Sequence, residues 1–289
     1  MTPKDPLSFV GDPPLWRPNA YEVHVSVTFT WDVSEGLRLA AAWADYYPVV
    51  KLGGPAFGDC LDSFIPGFYI KPGVTFTTRG CNNRCPWCLV PNMEGQLIEI
   101  SNFSSGWIIQ DNNLLQASQR HIIKVLAMLR SQSKPVILSG GLQSSLVSDW
   151  FAEELRTIRI NQIFLAADTL SAINPLKKAI KKLEFLGRRK LRAYVMIGRN
   201  ETIMQAKERL QEVWDIGCLP FAQLYQPAYK FIRYSWDWLD LARTWSRPAI
   251  MFSNQERCNP ALPHPAAPSP LSHFPLRRQV RHSPRCSAE

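Results

Sequence analysis

The chain has 289 residues, 46% of them apolar and 20% charged, with a formal net charge of +9. That balance fits a soluble globular protein with one large core or two modest ones. No window approaches the ~18 uninterrupted apolar residues of a transmembrane helix. The opening "MTPKDPLSFVGDPPLW" lacks the basic start and apolar stretch of a signal peptide, so the expected location is cytoplasmic. There, seven cysteines point to metal ligation or reactivity rather than to disulfides.

After a proline-rich start, "YEVHVSVTFTWD" (21–32) reads as a strand, "SEGLRLAAAWADYY" as a helix, and "VVKLGGPAF" as a second strand ending in glycines. From residue 73 a rhythm sets in of short β-rich runs, polar or glycine-bearing junctions and helical stretches. The runs are 74–78, 107–110, 135–138, 162–166, 192–197 and 221–225. Between them lie helix-like segments such as "SQRHIIKVLAMLRSQ" and "NPLKKAIKKLEFLG". Ser118 is placed to cap the first of these. Asn174 before Pro175 is expected to open the second, and Gly187 to end it; Gly217 ends the helix that follows. The segment after the cysteines, "LVPNMEGQLIEISNFSSG", lacks a convincing helical pattern. The tryptophans at 236, 238 and 245 are expected to pack the last helix against the sheet.

Strands alternating with helices predict an α/β fold with a parallel sheet. Six units suit a partial (β/α)6 TIM-like barrel, preceded by a short Rossmann-like βαβ unit. In such folds functional groups gather where the strands end. Those junctions read as a cysteine loop, "DNN", "SGG", "ADT", "GRNE" and "QP" in order. From residue 254 the chain is dense in proline, with five arginines against two glutamates and no apolar periodicity. We expect a disordered, solvated tail holding about a third of the excess charge. The predicted domains are thus 1–72, 73–253 and 254–289.

The chemistry concentrates in "TTRGCNNRCPWCLVPNMEG". Cys81, Cys85 and Cys88 have the spacing C-x3-C-x2-C, an odd count that suits neither paired disulfides nor a closed four-ligand zinc site. Three thiolates can hold three corners of an iron–sulfur cluster and leave one iron open. Gly80 lets the chain turn sharply before them, and the polar "NNR" is expected to keep the loop open. Competing readings are a zinc site completed by His24 or His121, and a set of buried thiols with no ligand. Gly140–Gly141 also reads as a plain turn, and Asp168–Thr169 as a helix cap. Cys60, Cys218, Cys258 and Cys286 have no companions at ligand spacing.

With Trp87 just before its third cysteine, this triplet resembles the signature of the radical S-adenosylmethionine (SAM) superfamily, and the resemblance spans roughly residues 73–251. It implies that Cys81, Cys85 and Cys88 ligate a [4Fe–4S] cluster and that Trp87 lies near the adenine of SAM. Ser139, Gly140 and Gly141 are similar to the glycine motif that takes the SAM amino group, although Leu142 stands where the family usually has glutamate. Asp168 falls where a polar residue often meets the ribose or carboxylate, and Gly198 and Glu201 resemble the turn near the adenine. The implied chemistry is reductive cleavage of SAM to a 5′-deoxyadenosyl radical that takes hydrogen from a substrate of unknown identity. An external flavodoxin- or ferredoxin-like donor would supply the electron. The alternative is a non-catalytic iron–sulfur or zinc-binding regulatory module. Action on RNA is a narrower option suggested by the basic balance.

The front unit looks like the junction between a cobalamin-binding domain and a radical SAM barrel. It lacks the D-x-H-x-x-G motif and is short of five strands, so no cobalamin is expected. No second cysteine cluster and no C-terminal RNA-binding β-barrel accompany it.

Overall fold

In a computed structural model, residues 5–57, 70–228 and 230–258 are described. The chain divides into two units, Met1–Met251 and Phe252–Glu289. Cys60, Cys286 and residues 259–289, most of the expected tail, lie outside the described residues.

The front of the chain forms β1 (Glu22–Ser26), α1 (Val33–Ala44) and β2 (Val49–Gly53), with β1 and β2 paired in parallel, as the sequence predicted. The end of the expected first strand departs from prediction, since Thr30–Asp32 coils into a 3-10 turn. That turn touches the segment after the last sheet strand. Thr30 Oγ1 donates to the Ala228 carbonyl, and the Trp31 ring lies 6.1 Å from that of Phe231.

The remaining elements are β3 (Val74–Thr75), β4 (Thr78–Arg79), α2 (Val90–Met93), β5 (Ile98–Glu99), β6 (Ile108–Ile109), α3 (Gln119–Arg130) and β7 (Val136–Gln143). They continue with α4 (Asp149–Leu155), β8 (Ile160–Ala166), α5 (Ile173–Lys182), β9 (Leu191–Ile197), α6 (Ile203–Asp215), β10 (Leu219–Leu224), α7 (Trp236–Thr244) and α8 (Pro248–Cys258). The six predicted runs supply one six-stranded sheet in the order β10-β9-β8-β7-β6-β3, parallel throughout. Spatial order follows chain order, so every crossover leads to the next strand along.

On β9 the two faces separate by period. Leu191, Ala193, Val195 and Ile197 are buried, as are Ile163 and Leu165 of β8, and the fully buried positions of α3 (Val125, Leu126) belong to the same core. The opposite face carries Arg192, Tyr194 and Met196. Here Phe164 stacks on Tyr194 at 4.8 Å, and Phe221 meets both rings edge-on. No helix among the described residues is long and apolar enough to cross a membrane.

Ser118 caps α3 by accepting the His121 N–H at 3.2 Å, and Gly217 leaves α6 at φ +98°, both as predicted. Asn174 does not open α5. The helix starts at Ile173, after a 3-10 turn, and Pro175 sits in its first turn, where a missing N–H costs no helical hydrogen bond. Gly187 closes a further 3-10 turn beyond α5. Of the three tryptophans, Trp245 is 6% exposed and packs edge-on to Trp214, whereas Trp236 is 70% exposed and Trp238 packs only partly, against Tyr234. The helix α8 runs to Cys258, past the predicted start of the tail at 254.

Candidate functional site

The first predicted strand, 74–78, splits in two because a carboxylate takes its backbone donors. Buried Asp111 follows β6 and accepts the N–H of Thr77 at 2.6 Å, the N–H of Thr78 at 3.0 Å and the Thr77 hydroxyl. Burial lifts the Asp111 carboxyl above the ordinary aspartate value, against the pull of these hydrogen bonds. The ladder with β6 therefore stops at Thr75, and Thr78–Arg79 pairs antiparallel with β5 instead. The segment after the cysteines, unassigned from sequence, thus folds back as α2 and β5 and brackets the loop.

Gly80 turns the chain at φ +73°, and a Cβ there would lie 2.1 Å from the Gln96 carbonyl oxygen, so the position demands glycine. The Gly80 N–H donates to Glu94 Oε2 at 2.9 Å. Glu94 also accepts from Arg79 Nη2 and Asn112 Nδ2, each at 2.6 Å. The Cys81 N–H closes the bracket on the Gly95 carbonyl at 3.1 Å. The "NNR" triplet, expected to hold the loop open, instead ties it down. Asn82 accepts the Leu97 N–H and gives its own N–H to Gln116 Oε1. Asn83 Nδ2 donates at 2.9 Å to Gln143 Oε1, at the end of β7, which also accepts from Asn113 and Gln116.

Cys81, Cys85 and Cys88 are free, half-buried thiols on this loop. The Cys85 thiol is pushed up by burial first, then by Cys88, Cys81 and Asp168. Cys88 is raised by burial, with Cys81, Asp168 and Glu94 adding to it against a hydrogen bond from Val90. The field of the loop thus reaches Asp168 beyond β8. Burial raises the Asp168 carboxyl, while the Met196 N–H, donating at 3.1 Å, and nearby Arg209 oppose that.

"SGG" is not a junction after the third strand but a bulge within it. The register of β7 shifts between Leu138 and Leu142, and the strand runs on to Gln143. Ser139 Oγ donates to the Ile109 carbonyl at 2.8 Å, and its carbonyl accepts the Tyr194 hydroxyl at 2.9 Å. A Cβ on Gly140 would fall 1.6 Å from the Asp111 carbonyl oxygen, so this glycine lets β7 press against the residue that holds the cysteine loop. Gly141 has φ +69° and lies over the Tyr194 ring. Leu142 is 2% exposed and pairs with buried Leu165, so the side chain after the glycines enters the core.

The turn after β9 carries Gly198 at φ +81°, where a Cβ would lie 2.7 Å from the Tyr234 ring, and Asn200 at φ +53°. Glu201 accepts the Gly198 N–H at 2.9 Å and pairs with Arg209 at 2.8 Å. Arg209 also donates to the carbonyls of Asp168 and Met196. Arg199 lies over Trp87 at 5.5 Å and over Tyr225 at 5.6 Å, linking the cysteine loop to the end of β10. Asp168–Thr169 provides no side-chain cap to the following turn.

Asp111, Glu94, Gln143, Arg199 and Arg209 were missed from sequence. Only the strand-end junctions "DNN", a carboxylate beside two amides, and "GRNE", which holds Arg199, gave a signal.

Among the described residues no three His, Cys, Asp or Glu side chains converge to hold a metal ion. His24 contacts Glu22 on β1, and His121 faces Phe103 and Glu99, so neither completes a thiol site. The donor chemistry of the loop nevertheless fits an iron–sulfur cluster. Its three soft donors share one loop, and the ionisation of Cys85 and Cys88, opposed first by burial and then by neighbouring thiols, would be favoured by a cation among them. A scan of protein-family models gives no match, and no curated protein matches the chain.

Proposed function

We propose that the protein is a radical SAM enzyme built on a partial (β/α)6 barrel. The observation that carries this reading is the position of the three thiols. They lie on one loop past the first strand of a strictly sequential parallel sheet, pinned by Asp111 and Gln143 to the ends of the next two strands. Cys81, Cys85 and Cys88 would hold the [4Fe–4S] cluster. Such a cluster, reduced by a flavodoxin- or ferredoxin-like donor, supplies the electron that cleaves SAM to methionine and a 5′-deoxyadenosyl radical. The chain's own task is to orient and enclose. The Ser139–Gly141 bulge offers backbone groups to the SAM amino group, Asp168 a carboxylate to its polar part, and Trp87 with Gly198 an adenine platform. The glutamate usual after the glycines has no counterpart, since Leu142 belongs to the core.

The test is anaerobic reconstitution with iron and sulfide, then dithionite and SAM. The parent protein should turn brown and release 5′-deoxyadenosine, and Cys85→Ala should do neither; retention of both by that variant sinks the proposal. The departure at Leu142, whose side chain is taken by the core where the family usually has glutamate, favours a second reading, a metal-binding module without SAM chemistry. One zinc per chain with no acid-labile sulfide would select it.

A further inference from the structure

A groove of about 580 Å³ lies at the end of the sheet opposite the cysteine loop, where β9 begins and α6 turns into β10. Its walls carry Lys177, Lys178 and Lys181 of α5 and Arg188, over a floor that includes Ile180 and Leu191. Residues 177–190 hold seven cations against one carboxylate, Glu184, and so account for six of the chain's nine net positive charges. The far larger tail carries only three. We propose that this groove docks the sugar–phosphate backbone of a single-stranded nucleic acid.

Three observations favour that occupant. Lys177, Lys178 and Lys181 are exposed, at helical spacings of three and four, and form no ion pair among the described residues. Like charges at those spacings repel, and a polyanion along the helix removes the repulsion. Next, the walls are rich in lysine. Lysine is depleted in protein–protein interfaces, whereas it contacts phosphates as a point charge. The single arginine, Arg188, is held by its bond to the Trp214 carbonyl at 3.0 Å and by the ring of Trp214 at 4.5 Å, a fixed cation beside three exposed ones. Finally, Ile173, Leu176, Ala179 and Ile180 of α5 are all buried, so the helix has no apolar face to insert into a membrane. Three carboxylates limit the charge: Glu184 in the groove, exposed Asp215 beside its far wall, bonded to Gln211, and Asp149, which pairs with Lys182 of the same stretch at 3.2 Å.

The test uses the full chain and a fluorescently labelled, mixed-sequence single-stranded RNA, read by anisotropy over a salt series. Lys177→Gln/Lys178→Gln/Lys181→Gln should bind at least about tenfold more weakly at low salt. Its slope of log affinity against log salt should be shallower by about two, as expected for three lost phosphate contacts on a single strand. The control Arg277→Gln/Arg278→Gln/Arg281→Gln should bind like the parent, and circular dichroism should show both variants folded. Parent-like binding by the groove variant overturns the proposal, as does absence of salt-sensitive binding by the parent. It also falls if polyglutamate or phosphatidylserine vesicles, rather than RNA, lose their binding in the groove variant.

Discussion

Arg209 and Arg192 are each 5% exposed, yet they stand at opposite ends of the sheet and are treated differently. Arg209, where β8 and β9 end, pairs with Glu201 and donates to two carbonyls, so its charge and most of its donors are answered. Arg192, where β9 begins, donates to the Ser246 carbonyl and lies between the faces of Phe164 and Phe221. Its Nε has no acceptor, and no carboxylate pairs with it among the described residues. The contrast extends to the surroundings. The cysteine-loop end holds buried Asp111 and half-buried Glu94 amid N–H donors, while the other end gathers lysines and Arg188. Reciprocal pairing fixes atoms in place, whereas unanswered cations give one end of the sheet a positive field.

The largest expected effect comes from breaking the answered pair. Arg209→Met leaves half-buried Glu201 without its cation and should cost about 3 kcal/mol of stability, the low end for a buried pair, read as a fall in the urea midpoint. A parent-like midpoint would show that pairing does not hold this end together. Gly140→Ala tests the same end through packing. Its Cβ would meet backbone at Asp111, which cannot rotate away, so the loss should be about 3 kcal/mol, at the top of the overpacking range. Gly141→Ala would place its Cβ 3.3 Å from Tyr194 Cδ2, a side chain rather than backbone, and so compares positive-φ strain plus a yielding contact with a backbone clash.

Much of the fold was legible because apolar β-branched runs and amphipathic helices are local patterns. The six runs each supplied a strand of the sheet, although the first broke at Thr75, and Ser118 and Gly217 acted as their chemistry dictates. Glycine misled where it served a bulge. "SGG" reads as the end of β7, yet the strand continues through it. Asn174–Pro175 reads as a helix start, although proline is tolerated elsewhere in the first turn as well. The thiols were legible by spacing, but their supports were not. Asp111 acts on Thr77 from 34 residues away and Asn83 on Gln143 from 60, and no local period encodes such pairs. A two-residue ladder such as β4 with β5 is likewise too short to leave a pattern.

Asp111 offers a smaller, pH-dependent test of the answered end. Its folded value lies above the ordinary 3.8 because burial outweighs its hydrogen bonds. For a carboxyl raised in this way, the contribution to stability is complete below the unfolded value and is lost as pH rises through the folded one. The urea-midpoint stability of the parent relative to Asp111→Asn should therefore decline as pH rises above 3.8, by at most about 1.4 kcal/mol per pH unit. A difference that grows over that window would mean the hydrogen bonds from Thr77 and Thr78 prevail over burial.

The smallest effect is expected where the comparison is sharpest. Arg192→Met removes a cation that burial already pulls below its usual guanidinium value, with Cys218 and Tyr194 opposing that pull only in part. The variant loses one hydrogen bond to a carbonyl and the contacts with two ring faces, each a modest term. It gains relief from an uncompensated buried charge, and methionine fills the space between Phe164 and Phe221 with polarizable, flexible bulk. These contributions nearly cancel, so the urea midpoint should correspond to within about 1 kcal/mol of the parent. Two equally buried arginines would then differ several-fold in what their removal costs, the difference lying in whether the protein supplies a counterion. A loss from Arg192→Met as large as that from Arg209→Met would erase the distinction and make Arg192 a structural cation satisfied by its rings.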